Sequence, residues 1–224
     1  MFHNSNQYKL LKIIHTNFKN QTKMKKQILL TVALAAFMLM AFTSKKLHTD
    51  IYKVDTKLSS LEWYAEKVSG KHNGIIMLSG GTISNDHGNL SATFEIDMTS
   101  IACTDLTGEY KTKLENHLKS DDFFGSAKYP KAKFTTTSIT PLKNVKAEGF
   151  THAVKGNLTI KDKTNEISFD AVIKMEGAKI ACTGTAVVDR SKFDVKYGSK
   201  TFFPDIADKM IYDEFKLKFN IIAQ

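Results

Sequence analysis

Arginine is all but missing from this 224-residue chain: Arg190 is the only one among 32 basic residues. The planar guanidinium is the group best suited to bidentate phosphate and guanine contacts, so no nucleic-acid partner is expected. Proline occurs three times, each time between predicted strands rather than inside one. Cysteine occurs twice, as Cys103 and Cys182, each within the tetrapeptide Ile-Ala-Cys-Thr. Neither a Cys-x-x-Cys pair nor a Cys/His metal spacing is present. Two cysteines in an exported chain invite a disulfide between them, while free cysteine is also a common small buried residue; both readings stay open. The Gly-x-Ser-x-Gly, His-Glu-x-x-His, P-loop and dinucleotide motifs are absent as well. His72, His87, His117 and His152 are scattered and read as surface or hydrogen-bonding residues, and Asp121-Asp122 reads as a pair complementing a helix dipole. No catalytic site, metal or cofactor is expected.

Charge is unevenly placed. The net formal charge is +9, but residues 1–44 hold six lysines and no acidic residue, which leaves 26 basic against 23 acidic residues in the remainder. Met24 to Lys45 has the layout of a secretory signal peptide: Lys25 and Lys26, an apolar run from Ile28 to Phe42, and small residues around Ala41-Phe42-Thr43. The run is shorter than the ~20 residues of a spanning helix. Residues 1–23 read as an over-extended start, 24–44 as the signal, and 45–224 as one folded domain. The expected location is periplasmic or secreted, or membrane-anchored if the signal stays uncleaved.

From Ile51 onward, apolar and polar residues alternate with the period of half-buried strands. Leu90, Ala92, Phe94, Ile96 and Met98 form the cleanest series, and Phe215, Leu217, Phe219 and Ile221 close the chain in the same way. Gly70 to Gly74 reads as the first turn, Asn85 to Gly88 as the second, and Gly80-Gly81 as a bulge. A turn is expected at Pro141 and a strand from Phe150 to Ile160. Tyr110 to Phe134 breaks the pattern: Tyr110, Leu114, His117 and Leu118 recur at helical spacing, Ser120 offers a cap to a following turn, and Tyr129-Pro130 ends the excursion. About eight strands without βαβ alternation predict an all-β antiparallel meander, as a sandwich or a closed barrel with a short helical insertion. Closure is favoured because it removes sheet edges. Inward candidates by alternation are Trp63, Phe94, Ile96, Phe134, Leu158, Phe169, Ile173, Phe215 and Phe219. Alternation does not decide whether they line a cavity or fill a solid core.

Several motifs, in order along the chain, carry a resemblance. These are Gly70-Lys-His72-Asn-Gly74, Leu114 to Phe124 followed by Tyr129-Pro130-x-Ala132-x-Phe134, Gly156-Asn-Leu158-Thr159-Ile160 with Thr164 and Phe169, Asp189-Arg190-Ser-Lys-Phe193, and Asp213-Glu-Phe215-x-Leu217. From about Tyr52 to Ile222 the chain resembles the YceI-like family of lipocalin-like barrels that bind polyisoprenoids. It departs at Asp162, where a turn glycine is expected, in its two cysteines, and over residues 197–212. The resemblance implies an eight-stranded lipocalin-like barrel around an apolar tunnel for an isoprenoid chain or quinone tail, with Phe123 and Phe124 as a mobile gate. It also implies transient contact with a membrane surface, and a homodimer. Two alternatives remain: an envelope structural or stress-related protein with a packed barrel, and a lipid-modifying enzyme with His117 or Asp121 at the mouth.

Overall fold

The computed structural model describes residues 49–144 and 149–224; the expected signal segment and start extension lie outside them. Nine strands follow one another: β1 (Thr49–Lys53), β2 (Ser60–Lys67), β3 (Gly70–Asp86), β4 (Asn89–Cys103), β5 (Lys131–Pro141), β6 (His152–Ile160), β7 (Lys163–Glu176), β8 (Lys179–Asp189) and β9 (Ile211–Ala223). A helix, α1 (Gly108–Lys119), stands between β4 and β5. All pairings are antiparallel, in the order β1-β3-β2-β9-β8-β7-β6-β5-β4, and β3 pairing with β4 closes the sheet.

The barrel nonetheless has eight staves. β2 pairs with the first half of β3, from Leu61↔Ile76 to Lys67↔Gly70, and β1 with its second half, from Thr49↔Asp86 to Lys53↔Thr82. On its other side this broken stave meets β9: Val54 bridges Ala223, and Lys53 and Gln224 exchange two backbone hydrogen bonds of 2.9 Å. Asp55 caps the break, its Oδ1 accepting from the N–H groups of Lys57 and Leu58.

The inward alternation follows the expected register. Leu61, Trp63, Ala92, Ile96, Met98, Phe134, Leu158 and Ile221 are buried, while Tyr64, Ser91 and Lys216 are exposed. The β3–β4 register shifts between Leu78 and Gly80, where the glycine pair was read as a bulge. His87 and Gly88 form the β3–β4 turn with φ of 55° and 93°, the paired left-handed conformations of a tight hairpin.

Three expectations are corrected. The β2–β3 turn is Val68-Ser69, and Gly70 to Gly74 already belong to β3; Gly74 is a glycine because the Ala102 carbonyl and the Trp63 ring leave no room for a Cβ, not because the chain turns there. Pro141 ends β5 rather than following it. Because β4 pairs with β5 only as far as Thr135, a proline beyond that point removes no bond on the β4 side. The following strand begins at His152, not Phe150. Ser120 does both jobs: it closes α1, its Oγ donating to the His117 carbonyl at 2.8 Å, and it opens the expected turn, its carbonyl accepting from the Phe123 N–H at 3.1 Å.

Candidate functional site

The barrel interior holds two cavities of about 90 Å³ each. The upper one, toward the β3–β4 hairpin tip, is lined by Ile83, Leu90, Phe94, Phe134, Phe169, Ile173, Cys182 and Phe219 among others, and Thr136 is its one hydroxyl-bearing residue. The lower one is lined by Trp63, Ile76, Met98, Leu118, Phe123, Phe124, Phe215 and, at its end, Arg190 and Tyr212. Ile96, Leu158, Val188 and Leu217 line both, so the two cavities adjoin at these side chains.

Rings this large would fill the lumen if they stood upright, and glycines opposite them let them lie flat. Phe219 sits across from Gly184, Trp63 across from Gly74, and Phe94 across from Gly81. A Cβ at Gly184 would lie 2.6 Å from Phe219 Cζ, and one at Gly74 2.6 Å from Trp63 Cζ2. A Cβ at Gly156 would overlap the Phe134 ring. The flattened rings then touch one another around the wall: Phe94–Phe134 centroids are 6.5 Å apart, Phe134–Phe169 5.7 Å and Phe169–Phe219 5.3 Å, within the range of favourable aromatic pairs.

The lower chamber is closed by α1 and the turn after it. Phe123 and Phe124, 7% and 8% exposed, pack edge to face at 5.0 Å, and Phe124 reaches Phe215 at 6.5 Å. His117 stands edge-on between Phe123 (5.7 Å) and the half-exposed Tyr197 (4.3 Å). Arg190, 2% exposed, lies over Phe123 with Cζ 5.4 Å from the ring centroid.

The donors of Arg190 are directed elsewhere. Nε donates to the Tyr212 carbonyl (3.2 Å), Nη1 to those of Val195 (2.9 Å) and Tyr197 (2.8 Å), and Nη2 to that of Ile211 (3.0 Å). Asp213 Oδ1 lies 3.3 Å from Nη2, close enough for an ion pair though not aligned as a hydrogen bond. Burial pulls the guanidinium pKa down, and Asp213 and Asp189 oppose that. The single arginine therefore pins the 195–212 segment and the Phe123 ring, and turns a flat face, not a donor, to the chamber.

A polar latch holds α1 beside its apolar stripe. Glu115 Oε1 accepts the Cys103 N–H at 2.8 Å, and Trp63 Nε1 donates to the Ala102 carbonyl at 3.1 Å. Asp105 accepts from the Cys103 thiol (3.0 Å) and the Asn73 N–H (3.1 Å), and its other oxygen meets His72 Nδ1 at 2.9 Å. Burial pushes the Asp105 carboxyl up, but these hydrogen bonds outweigh it and hold its pKa at about 2. Burial, reinforced by Asp105, pushes the Cys103 thiol up. A thiol donating to a carboxylate is the reverse of an activated nucleophile.

All eleven residues singled out by alternation and by the gate reading, Trp63, Phe94, Ile96, Phe123, Phe124, Phe134, Leu158, Phe169, Ile173, Phe215 and Phe219, line one chamber or both. Of the two readings left open for Cys103 and Cys182, the structure has the unpaired one: both thiols are free. Cys103 sits at the α1 latch by the lower end, and Cys182 lines the upper chamber. Sequence reasoning missed Val188 and Cys182, although both continue the inward series of β8. It also missed Arg190, whose signal was its uniqueness. Among the described residues no cluster of His, Cys, Asp and Glu has the geometry of a metal site.

The YceI-like domain model matches residues 52–223. The chain belongs to the YceI-like family. It is 32% identical over 160 residues to a UPF0312 protein of Staphylococcus aureus, across 65% of this chain and 82% of that protein. Among solved structures it is similar to BcnA of Burkholderia cenocepacia, with 24% identity and a TM-score of 0.60 over 76% of this chain and 99% of that one. It is also similar to a polyisoprenoid binding domain from Saccharophagus degradans implicated in plant cell wall breakdown, with 15% identity and a TM-score of 0.55 over 77% and 97% of the two chains. At these identities the two structures share the fold with this chain. The YceI-like match takes in both chambers, the α1 lid and the 197–212 segment, where the sequence motifs fitted least.

Proposed function

We propose that this YceI-like protein is an exported, non-enzymatic binding protein whose barrel houses the tail of an isoprenoid lipid or isoprenoid quinone and carries or sequesters it across an aqueous compartment. The observation that carries the reading is two apolar chambers in series inside one closed wall, with rings laid flat over glycines so that the lumen stays open. Each methylene moved from water into such a lining contributes roughly 0.8 kcal/mol, so a prenyl chain binds without a polar anchor. The polyisoprenoid binding domain of similar fold and the signal-like Met24 to Lys45 segment point the same way. Brief contact with a membrane surface, where such lipids reside, belongs to this reading. Among the described residues the enclosed lining, aromatic and branched-aliphatic with Arg190 and Tyr212 at one end, offers no acid–base pair for a reaction on the tail.

The modest chamber volumes favour one second reading, an envelope protein with a packed barrel. Expressing the full chain in an oxidising compartment, purifying it and extracting it with organic solvent for mass spectrometry separates the two. A co-purifying prenyl lipid or quinone supports the carrier. An empty extract, repeated after incubation with host membrane lipids, puts the packed barrel first.

A further inference from the structure

We infer that the head of the bound lipid is an uncharged ring of the quinone type, not a phosphate or diphosphate, and that it sits in a groove outside the lid. This rests on the lipid-binding reading above and narrows it to one class of head group. The groove, of about 590 Å³, is walled by Asp121 and Asp122 on the turn after α1, by Lys161 between β6 and β7, and by residues of the segment 194–209.

Groove and lower chamber are back to back. Asp121 and Asp122 line the groove, and the next two residues, Phe123 and Phe124, line the chamber. Tyr197 lines the groove, and His117 stands between its ring (4.3 Å) and that of Phe123 (5.7 Å). Ile211 lines the chamber, and its Cδ1 lies 3.0 Å from where a Cβ on Gly198, a groove residue, would stand. The wall is therefore one side chain thick, and a tail in the lower chamber reaches the groove once the Phe123 and His117 rings turn aside.

Charge decides the class of head. A phosphate monoester carries about −1.5 to −2 charge at neutral pH and is held by Arg or Lys donors directed at it. The one cation at the lower chamber, Arg190, commits its donors to the carbonyls of Val195, Tyr197, Ile211 and Tyr212. Among the described residues none that lines the upper chamber is charged. In the groove Lys161, Lys196 and Lys209 are matched by Asp121, Asp122 and Asp194. Lys196 already pairs with the Asp194 carboxylate at 3.0 Å, and Lys161 Nζ donates to the Asp194 carbonyl at 3.3 Å. A phosphate placed here meets as much negative as positive charge. A planar uncharged ring is better served: Tyr197 and Phe203 line the groove, 48% and 50% exposed, with faces free to stack, and the Lys209 ammonium can donate to a ring carbonyl.

The test holds the tail constant and changes the head. Geraniol, geranyl diphosphate and ubiquinone-2 share one prenyl tail of two isoprene units, and each is equilibrated by dialysis with the full-length protein and quantified by mass spectrometry. Ubiquinone-2 should bind at least about tenfold more tightly than the diphosphate. Phe203→Ala should weaken ubiquinone-2 about threefold or more and leave geraniol unchanged. Asp121→Asn combined with Asp122→Asn leaves the three lysines facing one carboxylate, and geranyl diphosphate alone should then gain, by about fivefold. All three substituted residues are exposed, so the variants keep the fold. A diphosphate that binds the wild type as tightly as the quinone overturns the uncharged head. Variants that leave all three affinities unchanged overturn the groove as its seat. Either result leaves lipid binding standing, whereas a wild type that takes up none of the three overturns the lipid-binding reading together with this inference.

Discussion

A phenylalanine pointing into a barrel normally takes up the space a ligand would need, and the glycine opposite it decides otherwise. At Gly184 the Phe219 ring lies where a methyl group would stand, so Gly184→Ala forces the ring upright into the upper chamber. Overpacking of this kind costs about 1–3 kcal/mol, read as a lower urea midpoint, and the variant should also lose capacity for an apolar dye; a variant with unchanged capacity would show that the ring has another place to go. The thiol at Cys182 gives a second residue-scale expectation. Burial pushes its pKa up to about 12, and only the thiolate reacts. Folded protein at pH 8 should therefore leave Cys182 unalkylated by iodoacetamide, whereas protein unfolded in urea, without any reductant, should take up label at both cysteines. A protein that needs reductant before it labels would mean the two thiols are bonded after all.

At the scale of elements, α1 is a lid held by two kinds of contact with different physics. Its Leu114 and Leu118 pack onto the barrel core, and that stripe was legible in the sequence as a helical period. The polar latch beside it was not, because it runs through contacts such as His72 to Asp105 across 33 positions and polar residues carry no periodic signal. The aromatic end of the lid was half legible: Phe123-Phe124 stood out as an apolar pair, but nothing local shows that Arg190 would sit over it. Asp105 makes the latch measurable. Its carboxyl titrates near 3.9 when unfolded and at about 2 when folded, a depressed value. The stabilisation is therefore complete above about pH 4 and is lost as pH falls through 2. Asp105→Asn should lower stability at pH 7 by on the order of 1–2 kcal/mol, and wild type and variant should converge toward pH 2. Urea midpoints at pH 7 and pH 2.5 check this; a gap of the same size at both pH values would remove Asp105 as the cause.

At the scale of the whole molecule, alternation was enough to find the strands and to prefer a closed barrel, but the number of staves depended on a break that alternation does not show. β1 and β2 are separate strands that act as one stave, because both lie between β3 and β9 and only residues 55–59 leave the strand pairing between them. Whether the interior was open or packed was equally hidden, since it turns on which glycine faces which ring across a strand pair, a matter of register. The broken stave predicts how the barrel comes apart. Tyr52 on β1 is buried with Ile83, Ala92, Ile180 and Ala223 at the upper end, and Trp63 on β2 is buried near the lower end. If closure makes the two halves one cooperative unit, Tyr52→Ala should cost about 3 kcal/mol, near the lower bound for truncating a buried aromatic. It should also shift the Trp63 emission transition and the far-UV circular dichroism transition to lower urea by the same amount, with their slopes unchanged. If the break at 55–59 uncouples the halves, the Trp63 transition will stay where it is and the dichroism transition alone will broaden or split. Closure through β1 would then be an addition to a barrel that β2 to β9 already hold together.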